Sequence, residues 1–203
     1  MNNHRVRFLS LFSNLAAVFG LLMMNSCSQY EYTSPLPGTI DVKLHVISNN
    51  IAFDPRNNFV LKVTSVEAVR AGDNARAVIL EDTKAIGRTT NVYNTLDDRA
   101  RDSSLVMGEA FLPPADYIGI NLLIQPGERV VLDGYRNIDV KTNTDLNLTP
   151  KFNPLLTFRR PFRIEELKTT NVVVTIDLDK SLVQLSNVYK FVPVYFISSI
   201  TYN

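Results

Sequence analysis

The sequence predicts an all-β protein, a single β-sandwich that follows an N-terminal export signal. Three observations lead there. Short segments alternate apolar and polar residues with a period of two. Turn signals built from Gly, Pro, Asn and Asp separate them. No long stretch carries the 3.6-residue apolar period of a helix.

Residues 1–7 contain His4, Arg5 and Arg7 and no acid. Residues 8–24 are apolar apart from Ser10, Ser13, Asn14 and Gly20, too short and too interrupted for a spanning helix. This is the pattern of a signal peptide over residues 1–26. The run ends at Met24-Asn25-Ser26-Cys27, which resembles the lipobox of bacterial lipoproteins. The resemblance implies cleavage before Cys27, thioether lipidation of its sulfur and acylation of the new amino group. Several acyl chains anchor firmly where one does not. Ser28 rather than Asp follows the cysteine, which favours the outer membrane. Residues 27–38, with Ser34-Pro35-Leu36-Pro37-Gly38, form a short tether, and residues 39–203 form the domain.

Within the domain, Val42, Leu44 and Val46 alternate with Asp41, Lys43 and His45. Phe59, Leu61 and Val63 alternate likewise, until a change of phase near Ser65 and Val66 that signals a bulge. Gly72-Asp73-Asn74 sits in a hairpin turn between Arg70 and Arg76, before a strand at 77–80. A short strand is expected at 89–93, a solvated loop at 97–102 and strands at 106–111 and 117–124. In the last of these, Ile118, Ile120, Leu122 and Ile124 share one face, with Gly119 and Asn121 on the other. Pro126-Gly127-Glu128 and Asp133-Gly134 read as turns. Strands are expected at 138–141, 152–158, 171–178 and 190–202, and one short helix at 161–168.

The chain has 203 residues, a formal charge of +1, 45% hydrophobic residues, 11 Phe, 8 Tyr and no Trp. That suits one globular core. Without clustered Lys and Arg there is no nucleic-acid footprint. The single cysteine excludes an internal disulfide.

Leu44-His45-Val46-Ile47, the strand at 60–69, and Phe111-Leu112-Pro113-Pro114-Ala115-Asp116-Tyr117 running into Ile118-Gly119-Ile120 form one ordered set of motifs. Val174-Thr175-Ile176-Asp177-Leu178-Asp179-Lys180-Ser181 and Tyr189-Lys190-Phe191-Val192-Pro193-Val194 form a second. Together they resemble, as a distant match over most of residues 40–197, the domain of unknown function 4382 family of bacterial lipoproteins. The resemblance implies a sandwich of transthyretin-like or carboxypeptidase-regulatory-like character, and no activity.

Candidate sites are few. Asp177 and Asp179, two apart on an expected strand, would project from one face as cation ligands. A strand end that accepts backbone N–H groups and pairs with Lys180 or Lys190 is the reading favoured for them. Asp97, Asp98 and Asp102 are interleaved with Arg99 and Arg101, which neutralise them. Arg159, Arg160 and Arg163 form the densest basic run, a candidate contact for lipid phosphates, acidic glycans or a protein partner. His45 is the sole histidine of the mature chain, and no nucleophile-elbow or zinc-protease motif is present. The expectation is a non-enzymatic binding or scaffolding module of the cell envelope, without cofactor or metal, its partner an envelope protein or a glycan. A pilin-like or fimbrial accessory subunit, with Arg70 and Arg76 as processing sites, is the alternative. A polysaccharide-active enzyme is a further one.

Overall fold

A computed structural model describes residues 34–81, 91–141 and 155–203. The signal peptide, Cys27, most of the tether, and the expected strand residues 89–90 and 152–154 lie outside these. The described chain forms β1 (Gly38–Ile47), β2 (Asn58–Arg70), β3 (Arg76–Glu81), β4 (Val92–Asn94), α1 (Asp98–Asp102), β5 (Leu105–Leu112) and β6 (Ala115–Leu132). There follow β7 (Arg136–Lys141), β8 (Leu155–Phe158), β9 (Phe162–Ile164), β10 (Thr169–Asp177), α2 (Leu178–Ser181), β11 (Leu182–Leu185), β12 (Val188–Phe191) and β13 (Tyr195–Tyr202).

The strands make an all-β sandwich. The smaller sheet has the order β13-β10-β1-β5; the larger runs β11-β12-β7-β6-β2-β3, with β4 on β2 and β8 and β9 on β6. Alternation places Ile40, Val42, Leu44 and Val46 of β1 and Val172, Val174 and Ile176 of β10 in the core. Phe59, Leu61 and Val63 of β2 and Ile120, Leu122 and Ile124 of β6 join the same cluster from the other sheet. β1 and β10 pair in parallel, Thr39 opposite Thr169 and Ile47 opposite Asp177. At one side of the sandwich Gly108 of β5 lies against β3: a Cβ there would sit 3.1 Å from Ile79 Cγ2. At the other side Phe158 and Tyr195 meet edge to face, 6.3 Å between centroids.

Several expectations are corrected. Pro126-Gly127-Glu128 does not turn. β6 runs through it, and the register with β2 steps from Phe59–Val130 to Leu61–Pro126, so three residues bulge opposite one. A second bulge leaves Ile118 without a partner, because Val69 pairs with Gly119 and Arg70 with Tyr117. Tyr117 therefore takes the core position expected of Ile118, and its hydroxyl donates to Pro113 O at 3.0 Å. The expected helix at 161–168 is instead β9 plus a turn. Phe162 and Ile164 are buried two residues apart, and Leu167 closes the turn at φ 57°. The expected loop at 97–102 contains α1. Asp97 accepts from Arg99 N as its N-cap and Ala100 is buried beneath it.

Asn57, buried, joins the segment between β1 and β2 to the β6–β7 turn. It donates to Ala52 O at 2.8 Å and accepts from Asp133 N at 2.6 Å. Removing it takes away both of these part-buried bonds. Asn57→Ala is therefore expected to cost about 1–2 kcal/mol, read as a lower melting temperature; an unchanged melt would contradict this bridging role.

Candidate functional site: a cationic cleft on the larger sheet

The outer face of the larger sheet carries a cleft of about 210 Å³, lined by residues from the β2–β3 hairpin, β6 and β8. Its floor is a polar row across three strands, because Asn121 pairs in register with Glu67 of β2 and with Thr157 of β8. Asn121 is only 4% exposed; its Nδ2 donates to Glu67 Oε2 at 3.4 Å. Its Oδ1 accepts no hydrogen bond from a described protein group, so it keeps the capacity to accept one.

The walls follow from local structure. Asn74 is held at φ 54° in the hairpin turn, which delivers Arg76 as the first residue of β3. Gly119 is required on the opposite side. A Cβ there would lie 1.8 Å from Phe158 O and 3.2 Å from Arg159 Cα, so only glycine lets the end of β8 pass this close over β6. Two guanidinium groups thus serve the cleft. Arg76 pairs with Glu67 at 3.6 Å. Arg159 is exposed and makes no ion pair among the described residues, which leaves an unneutralised cation at the margin. The arrangement suits a small anionic group that also carries hydroxyls: guanidinium forks match a carboxylate, and an amide and a hydroxyl match OH groups. The volume is that of about one sugar ring or one side chain, below the range typical of drug-sized sites.

Of the basic run only Arg159 lines this cleft. Arg160 turns away and donates to Ile197 O at 2.6 Å, tying β8's exit to β13. Arg163 sits 3.8 Å from Asp116, with both side chains exposed. Glu67, Asn121 and Thr157 were not among the sequence candidates, and Arg76 stood only as a processing site. The available signal was Gly119 and Asn121 themselves, a glycine and a polar residue on the outward face of the most apolar strand.

The aspartates at the end of β10 do not share a strand face. Asp177 is the N-cap of α2, accepting from Lys180 N and pairing with Lys180 Nζ at 2.7 Å. Asp179 lies in the first turn of α2. It accepts from Ser48 Oγ at 2.6 Å, Asn49 N at 2.6 Å and Asn50 N at 3.1 Å, pinning the loop after β1. No cluster of three or more His, Cys, Asp or Glu able to hold a metal occurs among the described residues. Partial burial pushes the Asp179 carboxyl upward, but the hydrogen bonds from Ser48, Asn49 and Asn50 outweigh it and hold the group below its ordinary value. With the folded value below the unfolded one, its contribution is complete above about pH 4 and is lost as pH falls through the folded value. Asp179→Asn is expected to flatten this acid limb in a stability-against-pH series; an unaltered limb would contradict the pinning.

The acidic segment is neutralised locally. Arg99 pairs with Asp97, and Arg101 with Asp98 and Asp102, its guanidinium 5.1 Å from the Phe53 ring centroid. His45 lies on the outward side of β1 in the smaller sheet, not the sheet that carries the cleft. Among the described residues no helix is long and apolar enough to cross a membrane.

The fold and cleft define the class: an all-β sandwich with a small cationic recess. Comparison with family models, curated proteins and solved structures returns no match for this chain.

Proposed function

We propose that the chain is a lipid-anchored, non-enzymatic binding module of the outer membrane, whose cleft holds an acidic residue of an envelope glycan. The observation that carries this is the unneutralised Arg159 guanidinium beside a floor of amide and hydroxyl groups. Uronate recognition asks for a cation for the carboxylate and neutral polar groups for the ring hydroxyls. The non-enzymatic part rests on the residue types present. Guanidinium, amide and hydroxyl groups do not titrate near neutral pH, and the carboxylate of the floor row, Glu67, is engaged by Arg76 and Asn121. Anchoring rests on the Cys27 motif, and kinship with the domain of unknown function 4382 family belongs to the same reading. Strand exchange of the pilin type draws less support. Gly108 of β5 packs against Ile79 of β3, and Arg160 occupies the Ile197 carbonyl of β13.

The test is a glycan array probed with full-length protein in detergent, with product analysis of bound glycans. Retention on uronate-containing glycans without chain cleavage is expected. Binding indifferent to acidic sugars, or release of cleavage products, would overturn the reading. Cys27→Ser should move the protein from the detergent phase to the aqueous phase; continued detergent partitioning would refute the anchor.

A further inference from the structure

The end of the sandwich from which β1 starts carries a rim of exposed apolar side chains. Phe111 and Leu167 are each 75% exposed, Leu36 52% and Tyr202 50%. Register and hydrogen bonding place them. Phe111 of β5 pairs with Thr39 on the outward face of the smaller sheet, whereas Tyr202 of β13 pairs with buried Thr170, on the other face, where its hydroxyl accepts from Arg163 N at 3.4 Å. Leu167 N donates to Pro37 O at 3.3 Å, and Leu36 N donates to Glu166 Oε1 at 2.8 Å. Phe111, Leu36 and Leu167 thus sit at the same end of the three neighbouring strands β5, β1 and β10, about 10 Å at the usual strand spacing. Scattered exposed apolar residues are ordinary; several gathered at one end of a sheet mark a contact.

Most charges around the rim are paired locally: Asp116 with Arg163, Glu165 with Lys168, and Asp73 with Arg70. Glu166 accepts from Leu36 N and has no ion pair among the described residues, a carboxylate suited to the polar side of a headgroup layer. We infer that this rim rests in the headgroup region of the lipid bilayer, with Leu36, Phe111 and Leu167 as its apolar contacts. The inference rests on the lipid anchor of the proposed function. Six residues lie between Cys27 and Ser34, the first described residue, and this is the end at which the described chain begins. The seven Cα steps reach at most about 25 Å when extended, so an acylated Cys27 would keep this end within that distance of the bilayer. Tethering raises the local concentration enough to populate a contact that would be weak in solution. A mixed aliphatic and aromatic rim is what interfacial seating selects. Because the side chains that enter the layer are apolar and no cation of the rim is left unpaired among the described residues, the contact persists in high salt.

The chain has no Trp, so single tryptophans report cleanly. Phe111→Trp probes the rim, and Leu36→Trp is a second probe should the first fold poorly. Tyr135→Trp is the control, since Tyr135 is 73% exposed in the β6–β7 turn at the far end. Each lipid-modified full-length variant is reconstituted into phosphatidylcholine vesicles bearing bromine on the acyl chains. Flotation reports the anchor and quenching reports the contact. The expected result is flotation of all variants, with quenching several-fold stronger at the rim than at position 135 and unchanged in high salt. Flotation with equal or no quenching overturns the contact and leaves the anchor standing. A rim emission that shifts with protein concentration instead of with brominated lipid means a second copy covers the rim, and also overturns it. Failure to float overturns the anchor and the contact with it.

Discussion

Replacing Ile120 with Asp is expected to abolish cooperative folding. Ile120 is fully buried in the first half of β6, paired with Ala68 on one side and Phe158 on the other. The substitution removes roughly 2–3 kcal/mol of apolar burial. It also places a carboxylate among Leu, Ile and Val side chains of both sheets. An unpaired buried charge costs several kcal/mol more, even when the group takes up a proton to avoid ionising. The sum rivals the whole stability of a typical domain, about 5–15 kcal/mol. Ile120→Val, by contrast, should cost only about 1 kcal/mol. A thermal melt of Ile120→Asp that keeps its sigmoidal transition would show that the inward face of β6 is misassigned.

Gly119→Ala is expected to be the most damaging single-methyl change in the molecule's cleft. Its new Cβ would lie 1.8 Å from Phe158 O and 2.8 Å from Phe158 C, so the obstacle is main chain and cannot swing aside as a flexible side chain would. β8 must shift by more than an ångström or release its pairing to Ile120. The cost is on the order of 3 kcal/mol, a fall of roughly 6–12 °C in melting temperature for a domain of this size. The cleft should be lost as well, because Thr157 and Arg159 ride on the displaced segment. Gly72→Ala separates this from a general penalty for losing glycine. Gly72 has φ 92° but nothing within 4 Å of a new Cβ, so only backbone strain of about 1 kcal/mol applies. Equal melts for the two variants would contradict the close approach of β8 to β6.

The core-forming strands could be read from residue order because each buries one face. Ile40 to Val46 and Phe59 to Val63 show alternation that the burial of every second side chain repeats. The bulge near Ser65 was visible for the same reason: the register with β6 slips between Val63 and Ser65, where the apolar phase changes. Misreadings fell where one local chemistry serves two structures. Pro126-Gly127 suits a turn and equally a wide bulge, and only pairing to β2 decides. Phe162 and Ile164 are too few for a period to show, while Glu165, Glu166 and Lys168 imitate a charged helical turn. The parallel pairing of β1 with β10 joins segments about 130 residues apart, and no local pattern encodes it. The cleft is hidden for that same reason. Glu67, Asn121 and Thr157 become neighbours only once β2, β6 and β8 lie side by side.

The account stands most directly on a matched pair of charge reversals, Arg159→Glu and Arg163→Glu, titrated with an acidic uronate oligosaccharide. Both arginines are exposed and belong to one basic run, but only Arg159 lines the cleft. Arg159→Glu should weaken binding at least about tenfold, the size of one lost charge-assisted contact. Arg163→Glu should leave affinity close to that of the parent protein. Equal losses in both variants would mean that diffuse positive charge, and not the cleft, does the binding; no loss in either would contradict the site itself.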